Sequence, residues 1–160
     1  MTRAREFPTF AALAAAGSAA MLGGALFFQY VMGLAPCAMC IWQRWPHGLA
    51  VALGVLIVAL PFLRRAAWAR LLGAALMLTG AGIALYHTGV ERLWWQGPTT
   101  CTSSGQAGLS TDDLLQQILE APVVRCDEVA WEFLSLSMAS WNGIASLALA
   151  GLWLISVRRG

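Results

Sequence analysis

Residues 31–46 read VMGLAPCAMCIWQRWP and join two long apolar stretches of the chain. This junction carries two cysteines, Cys37 and Cys40, with two residues between them. The other two cysteines, Cys101 and Cys126, lie in the longest polar segment of the sequence. A C-x-x-C spacing favours the reactive thiolate and is typical of cysteines that exchange disulfides. The sequence therefore indicates redox chemistry at the edge of a hydrophobic segment.

The composition is that of a membrane protein. Of the 160 residues, 59% are hydrophobic and 11% are charged, whereas about a quarter of the residues in a soluble domain are charged. Crossing a hydrocarbon core takes roughly 20 apolar residues, and a chain in lipid must satisfy its backbone hydrogen bonds within helices. Four uncharged stretches are long enough, namely Phe7 to Gln43, Trp45 to Leu63, Leu71 to Val90 and Phe133 to Val157. We therefore predict an all-α polytopic membrane protein, a bundle of four transmembrane helices.

The whole chain, residues 1–160, is predicted to form a single integral membrane domain. The long loop before the fourth span is predicted to contain a short amphipathic helix from Leu109 to Leu119, with a Ser110 or Thr111 cap. This helix is too short to cross a bilayer, so it either lies along the membrane surface or packs its leucine face on the bundle. The predicted spans cover about residues 10–32, 46–63, 71–90 and 133–157, and the loop covers about residues 91–132.

The arginines decide the predicted orientation, because cytoplasmic loops carry an excess of basic residues. Seven arginines flank the spans on one side, namely Arg3, Arg5, Arg64, Arg65, Arg70, Arg158 and Arg159. We expect a multi-pass protein of the bacterial inner membrane, with both termini cytoplasmic and all four cysteines on the periplasmic side, where disulfides persist. A cleaved signal peptide is the alternative at the N-terminus, but the apolar run from Phe7 exceeds the core of about 7–15 residues in such peptides.

Cys40 has the surroundings expected of a reactive thiol. Thiolates form more readily in C-x-x-C motifs, near helix N-termini and near cations, and Cys40 shortly precedes the second predicted span. Arg44 would lie one helical turn away if that helix began early, and its guanidinium keeps its proton in proteins. The alternative for Arg44 is an interfacial side chain that extends to water.

Four cysteines also suggest metal binding, but their spacing argues against it. Cys101 and Cys126 are separated by 24 residues, whereas structural zinc sites pair ligands about two to four residues apart. We therefore predict no metal site. Covalent haem attachment requires a histidine after the second cysteine, where this chain has Ile41. A pair of purely structural disulfides stays an alternative.

Two histidines lie in the predicted spans. An ionisable residue in a membrane span indicates a functional site, and His87, near the outer end of the third span, could exchange a proton near neutral pH. His47, early in the second span, is the weaker candidate. The alternative for each is an interfacial histidine whose hydrogen bonds are satisfied.

Four groups of residues, taken in order, match a known family. They are Cys37-Ala38-Met39-Cys40-Ile41-Trp42-Gln43-Arg44, then Tyr86-His87-Thr88, then Pro98-Thr99-Thr100-Cys101, and finally Cys126 with Trp131-Glu132-Phe133-Leu134 and Trp141. On these residues the chain resembles, over nearly its whole length, the bacterial disulfide bond formation protein B (DsbB) family of quinone-dependent thiol oxidases. Gln43 departs from the acidic residue that the family often has there, which puts an acid–base role at this position in doubt.

The resemblance implies an electron relay through two cysteine pairs. In that family a reduced periplasmic protein of the DsbA type attacks a disulfide between two loop cysteines, which here are Cys101 and Cys126. Cys126 would then attack Cys37, and Cys40 would pass the electrons to a membrane quinone.

The resemblance also implies the cofactor and the partners. Arg44 would stabilise the charge of the reduced quinone beside Cys40, and His87 would line the same pocket. We expect ubiquinone ahead of menaquinone as the acceptor. The other expected partners are a DsbA-type thiol oxidant and membrane lipid, and no nucleic acid.

Two other functions stay open on the sequence. A vitamin K epoxide reductase-like protein also couples loop cysteines to a membrane C-x-x-C, but its loop pair comes first, whereas here Cys37 and Cys40 precede the loop cysteines. A structural protein with four spans, its loop held by stable disulfides, would bind no quinone.

Overall fold

The computed structural model describes residues 8–98 and 124–159. Cys101, the predicted surface helix from Leu109 to Leu119, and Arg3 and Arg5 lie outside these residues. The described part is mostly helical, with a two-stranded hairpin that the all-α prediction did not include. Its elements are α1 (Thr9–Tyr30), α2 (Ala38–Ala59), a 3-10 turn (Leu63–Arg65), α3 (Ala67–Glu91), β1 (Glu132–Phe133), β2 (Leu136–Ser137) and α4 (Met138–Arg159).

Three helices of the described residues, α1, α3 and α4, are long and apolar enough to cross a membrane. This agrees with the prediction of a helical membrane protein. α2 has the same length as α1, but its first half contains Gln43, Arg44 and His47, which lower its hydropathy. The fourth span therefore stays a prediction.

α2 begins at Ala38, whereas the sequence predicted a span from about residue 46. Its N-cap is Cys37, whose sulfur accepts a hydrogen bond of 3.1 Å from the backbone N–H of Cys40. The cap satisfies one of the N–H groups that have no partner in the first helical turn. Pro46 therefore lies inside the helix, although the sequence placed it at the start. The early start brings the C-x-x-C motif into the first turn.

α4 begins at Met138, five residues after the predicted start at residue 133. The residues between form the β1–β2 hairpin, in which Phe133 pairs with Leu136. Its two turn residues, Leu134 and Ser135, both have positive φ, 52° and 61°, as a type I′ hairpin turn requires. Ser137 then accepts a hydrogen bond from the backbone N–H of Ser140, which caps α4. The uncharged stretch that begins at Phe133 runs through this hairpin into α4, so the sequence did not show where the helix begins.

The four helices pack in a ring that follows the chain order, with the most extensive contact between α3 and α4. The bundle has two ends. The arginine end holds the start of α1, the end of α2, the start of α3 and the end of α4, with Arg64 and Arg70. The cysteine end holds the opposite helix termini, with Cys37 and His87.

Small residues let the helices approach closely at the arginine end. Trp153, Ile57 and Met77 are fully buried in one apolar cluster there. Gly73 lies against the Trp153 ring, and a Cβ added to this glycine would overlap the ring atoms. Close contact through small residues is the usual mode of helix association in lipid.

Candidate redox site

The two cysteines of the C-x-x-C motif are in contact. Their sulfur atoms lie 2.7 Å apart, and a disulfide needs roughly 2.0 Å, so a small movement would join them. Cys37 is buried and Cys40 is half-buried. The helix N-terminus carries partial positive charge, which stabilises a thiolate in this first turn. The two sulfur atoms are therefore placed where a disulfide can form.

Cys126 is the one loop cysteine among the described residues, and it is fully buried. It belongs to the same buried cluster as Cys37, Met39 and Val90. The structure thus brings Cys126 to the C-x-x-C pair from a position 86 residues beyond Cys40 in the chain (126 − 40). Cys101 lies outside the described residues.

Charged residues flank Cys126 on both sides. Arg125 donates two hydrogen bonds to Asp127, of 3.0 Å and 2.7 Å, in a fork geometry, and its third nitrogen lies 3.3 Å from a carboxylate oxygen of Glu128. The guanidinium lowers the pKa of the Asp127 carboxyl below its usual range, and the hydrogen bonds from Arg125 are the main cause. These ion pairs restrain the backbone on both sides of Cys126.

His87 lies between the sulfur atoms and a group of buried polar side chains. Its Nε2 is 3.6 Å from Cys37 Sγ and 3.9 Å from Glu91 Oε1, and the ring also contacts the Cys126 backbone. Its Nδ1 is 2.7 Å from Gln43 Nε2. His87 therefore contacts both Cys37 and the backbone of Cys126.

Hydrogen bonds continue from Gln43 across the bundle. Gln43 Oε1 accepts a hydrogen bond of 2.6 Å from Asn142 Nδ2, and Asn142 Oδ1 lies 2.9 Å from His47 Nε2. Gln43 and His47 are in α2, His87 is in α3 and Asn142 is in α4. We call these four residues the amide chain. They join three helices at the cysteine end.

Arg44 lies one helical turn after Cys40, on α2. Its Nη1 donates a hydrogen bond of 2.6 Å to Gln29 Oε1 at the end of α1. Within residues 8–98 and 124–159, this is the hydrogen bond that the guanidinium makes, and its other nitrogens could bind an anion. Both Arg44 and Cys40 line the same cavity.

That cavity has a volume of about 280 Å³ and is bounded mainly by apolar atoms. Its polar wall contains Cys37, Cys40, Arg44 and His87, and its apolar wall comes from α1 and α4. This volume is close to roughly 300 Å³, the lower end of the range for ligand pockets. The cavity can therefore take a small planar ring. The apolar wall includes Met21, Ala25, Phe28, Met138 and Trp141.

Sequence reasoning missed several residues of this site. Gln29, Gln43 and Asn142 received no role there, yet each makes a hydrogen bond of 2.7 Å or less. The available signal was an uncharged polar side chain within an otherwise apolar stretch. His47, the weaker histidine candidate, is buried and bonded to Asn142.

One grouping was not expected from the spacing of the four cysteines. The ligand atoms of Cys37, Cys40 and His87 all lie within 4.8 Å of one another. Two thiolates and an imidazole are ligands that zinc accepts. The prediction of no metal site rested on cysteine spacing alone, and it stays a prediction.

The fold and the site define a class, namely helical membrane proteins that carry a buried dithiol beside an apolar cavity. The family model described as Disulfide bond formation protein DsbB matches residues 7–156, and the chain belongs to this family. The resemblance noted from the sequence motifs is therefore confirmed. It is a membrane protein of disulfide bond formation.

Individual relatives agree with this assignment. The chain is 32% identical over 155 residues to Disulfide bond formation protein B of Aromatoleum aromaticum, which covers 89% of this chain and 88% of the relative. It is 35% identical over 150 residues to the protein of that name from Methylococcus capsulatus, which covers 86% of this chain and 85% of the relative. No solved structure matches the chain.

Proposed function

We propose that this protein is a membrane thiol oxidase, which reoxidises a periplasmic DsbA-type dithiol protein and passes two electrons to a quinone. The observation that carries the proposal is the contact of Cys37 with Cys40 at the wall of a cavity that also contains Arg44. Family membership supports the disulfide chemistry. The acceptor and the partner are inferences from this geometry and from the resemblance.

In the relay the partner's dithiol reduces a Cys101–Cys126 disulfide and becomes oxidised itself. The Cys126 thiolate then attacks Cys37 Sγ of a Cys37–Cys40 disulfide, forming a Cys126–Cys37 bond and releasing Cys40 as a thiolate. The packing of Cys126 with Cys37 supports this step. The Cys101 thiolate would then attack Cys126 Sγ, which re-forms the Cys101–Cys126 disulfide and releases Cys37. The C-x-x-C pair is then reduced by two electrons.

A bound quinone would accept those two electrons and two protons and leave as quinol. Cys40 offers its sulfur at the cavity wall, and Arg44 offers a permanent positive charge to a developing oxyanion. The cavity volume suits the ring, while an isoprenoid tail would extend into lipid. We expect ubiquinone ahead of menaquinone.

A DsbA-type oxidant has a potential near −120 mV, whereas structural disulfides lie below about −300 mV. An ordinary disulfide therefore cannot reoxidise such a partner, and a stronger terminal acceptor is required. The relay from DsbA through DsbB to quinone in the bacterial periplasm is established for this family, and we extend it to this chain.

The proposed topology has four spans, with α2 completing the set. The arginine end then faces the cytoplasm with both chain termini, as the excess of arginines there supports. The cysteine end faces the periplasm of a bacterial inner membrane. The polar residues of α2 would be shielded from lipid by the other helices, because the amide chain joins them to α3 and α4.

The test is quinone reduction by purified protein in detergent, with a reduced DsbA-type partner and a soluble ubiquinone analogue. Cys40→Ser should abolish turnover, because no sulfur then faces the acceptor. Cys126→Ser is the matched control. It should lose turnover with the protein partner but keep it with a small dithiol that reduces Cys37–Cys40 directly.

Turnover by Cys40→Ser at the wild-type rate would contradict the proposal. Failure of the wild type with both ubiquinone and menaquinone analogues, and with loop disulfides intact after partner addition, would instead favour a structural protein.

A further inference from the structure

The amide chain is oriented by the backbone. Gln43 Nε2 lies 3.4 Å from the Met39 carbonyl oxygen as well as 2.7 Å from His87 Nδ1. A carbonyl oxygen only accepts hydrogen bonds, so the Gln43 atom that faces it is the NH₂ nitrogen, which donates. The Gln43 oxygen then faces Asn142 Nδ2, another donor. Each amide in the chain has one consistent orientation.

This orientation determines which nitrogen of His87 carries the proton. A neutral imidazole has one N–H donor and one bare acceptor nitrogen. Because Gln43 donates to Nδ1, that nitrogen is the acceptor and Nε2 carries the hydrogen. The groups around Nε2 fit this assignment, since Cys37 Sγ and the Glu91 carboxylate can both accept.

We propose that Gln43 and Asn142 are positioning residues that hold His87 as the Nε2–H tautomer, with its hydrogen directed at Cys37 Sγ. The partner of a histidine's second nitrogen commonly fixes its tautomer in this way. The N–H donor stabilises the Cys37 sulfur when it leaves as a thiolate, as on its release from Cys126 in the proposed relay. The part that this hydrogen bond plays in the thiol relay rests on the proposed function, whereas the orientation of His87 does not.

The same assignment predicts that this cluster of two thiols and an imidazole does not bind a metal ion in its present arrangement. A metal ligand must present a bare nitrogen, whereas Nε2 here carries hydrogen. Binding a cation between Cys37, Cys40 and His87 would require the Gln43 amide to turn. The Gln43 NH₂ would then no longer donate to the Met39 carbonyl. It would instead face the Asn142 NH₂, so that two hydrogen-bond donors would lie opposite each other.

The test measures the ring nitrogens of His87 directly. The protein contains only two histidines, so ¹⁵N-histidine labelling and long-range ¹H–¹⁵N correlation in detergent, with a His47→Gln sample for assignment, resolve both rings. Reduced wild-type protein at pH 8 should show His87 with Nε2 protonated and Nδ1 bare. In Gln43→Glu the carboxylate cannot donate, so Nδ1 should gain a proton.

Asn142→Asp is the second variant. An aspartate cannot donate to Gln43 Oε1, so the Gln43 amide should turn its NH₂ towards residue 142 and its oxygen towards Nδ1, which again protonates Nδ1. Gln96→Glu is the matched control, because Gln96 is exposed outside the bundle, and it should leave the His87 spectrum unchanged.

The kinetic readout is reoxidation of the reduced C-x-x-C pair by quinone. Loss of one hydrogen bond to a charged sulfur should slow it about tenfold in Asn142→Asp, with KM for quinone unchanged. A wild-type Nδ1 that already carries hydrogen, or a Nδ1 that stays bare in both variants, overturns the proposal. The spectra need neither quinone nor partner, so they are independent of whether the protein is an oxidase.

Discussion

The arginine end and the cysteine end of the bundle are built from different chemistry. At the arginine end, Trp153, Met77 and Ile57 fill the interior, and Gly73 lets α3 approach the Trp153 ring. At the cysteine end, hydrogen-bonded polar side chains and a cavity of about 280 Å³ occupy the corresponding positions.

Stability and chemistry are therefore separated along the helix axes. Close apolar packing tolerates little change in volume, whereas the cysteine end must admit an acceptor and let sulfur atoms change partners. The rigid arginine end can hold the helices while the thiols exchange. Substitutions at the two ends should therefore fail in different ways.

The largest effect should come from Arg44→Gln at the cysteine end. A hydrogen bond to a charged group contributes about 1.5–3 kcal/mol, so kcat/KM for quinone should fall by about tenfold to a hundredfold. Arg64→Gln is the control, because Arg64 also donates to an oxygen, the Val58 carbonyl, but at the arginine end. Equal losses in both variants would show that Arg44 acts through general stability.

The next effect should come from Gly73→Ala at the arginine end. The new methyl group would overlap the Trp153 ring, and overpacking of this kind costs about 1–3 kcal/mol. The free energy of unfolding, measured by denaturation in mixed detergent, should fall by that amount. The folded fraction should still reduce quinone at the wild-type rate.

Gly82→Ala is its matched control on the same helix. A Cβ at Gly82 meets no atom within 4 Å, and alanine is favoured over glycine in helices by up to about 1 kcal/mol. Stability should stay the same or rise. If Gly73→Ala were as stable as Gly82→Ala, the close contact with Trp153 would not be a source of stability.

The smallest effect should come from acidification of the turn beside Cys126. The pKa of Asp127 is lowered in the folded protein, so its contribution is complete above the ordinary value of about 3.9 and is lost as the pH falls through the lower folded value. The protection of amides in residues 124–129 from exchange, corrected for the intrinsic pH dependence of the exchange rate, should therefore fall only below about pH 4. Asp127→Asn should show the lower protection already at pH 7 and no further change on acidification.

Much of this arrangement could be predicted from the sequence, because it depends on composition and order. Uncharged stretches predicted the helices, and the spacing of Cys37 and Cys40 predicted a reactive pair. The start of α2 was placed near Pro46, because the uncharged stretch begins at Trp45, directly after Arg44. The helix instead begins at Ala38, where the Cys37 sulfur caps it.

The polar contacts could not be predicted, because they join residues far apart in the chain. Asn142 reaches Gln43 across 99 positions, and neither residue belongs to a short motif. The donor and acceptor directions depend on the Met39 carbonyl, which only the three-dimensional arrangement brings to Gln43. Apolar periodicity reports burial but not which buried polar groups meet.

On the proposed function, Cys37 and Cys40 form the pair that meets the acceptor. The most direct measurement uses a Cys101→Ser/Cys126→Ser variant, in which no loop thiol can reduce Cys37–Cys40 again. The protein is reduced under anaerobic conditions, one equivalent of a soluble ubiquinone analogue is added without any partner, and the remaining thiols are trapped with an alkylating reagent for mass spectrometry. Cys37 and Cys40 should lose their label together as quinol forms. Quinol formation with both cysteines still fully alkylated would contradict the account.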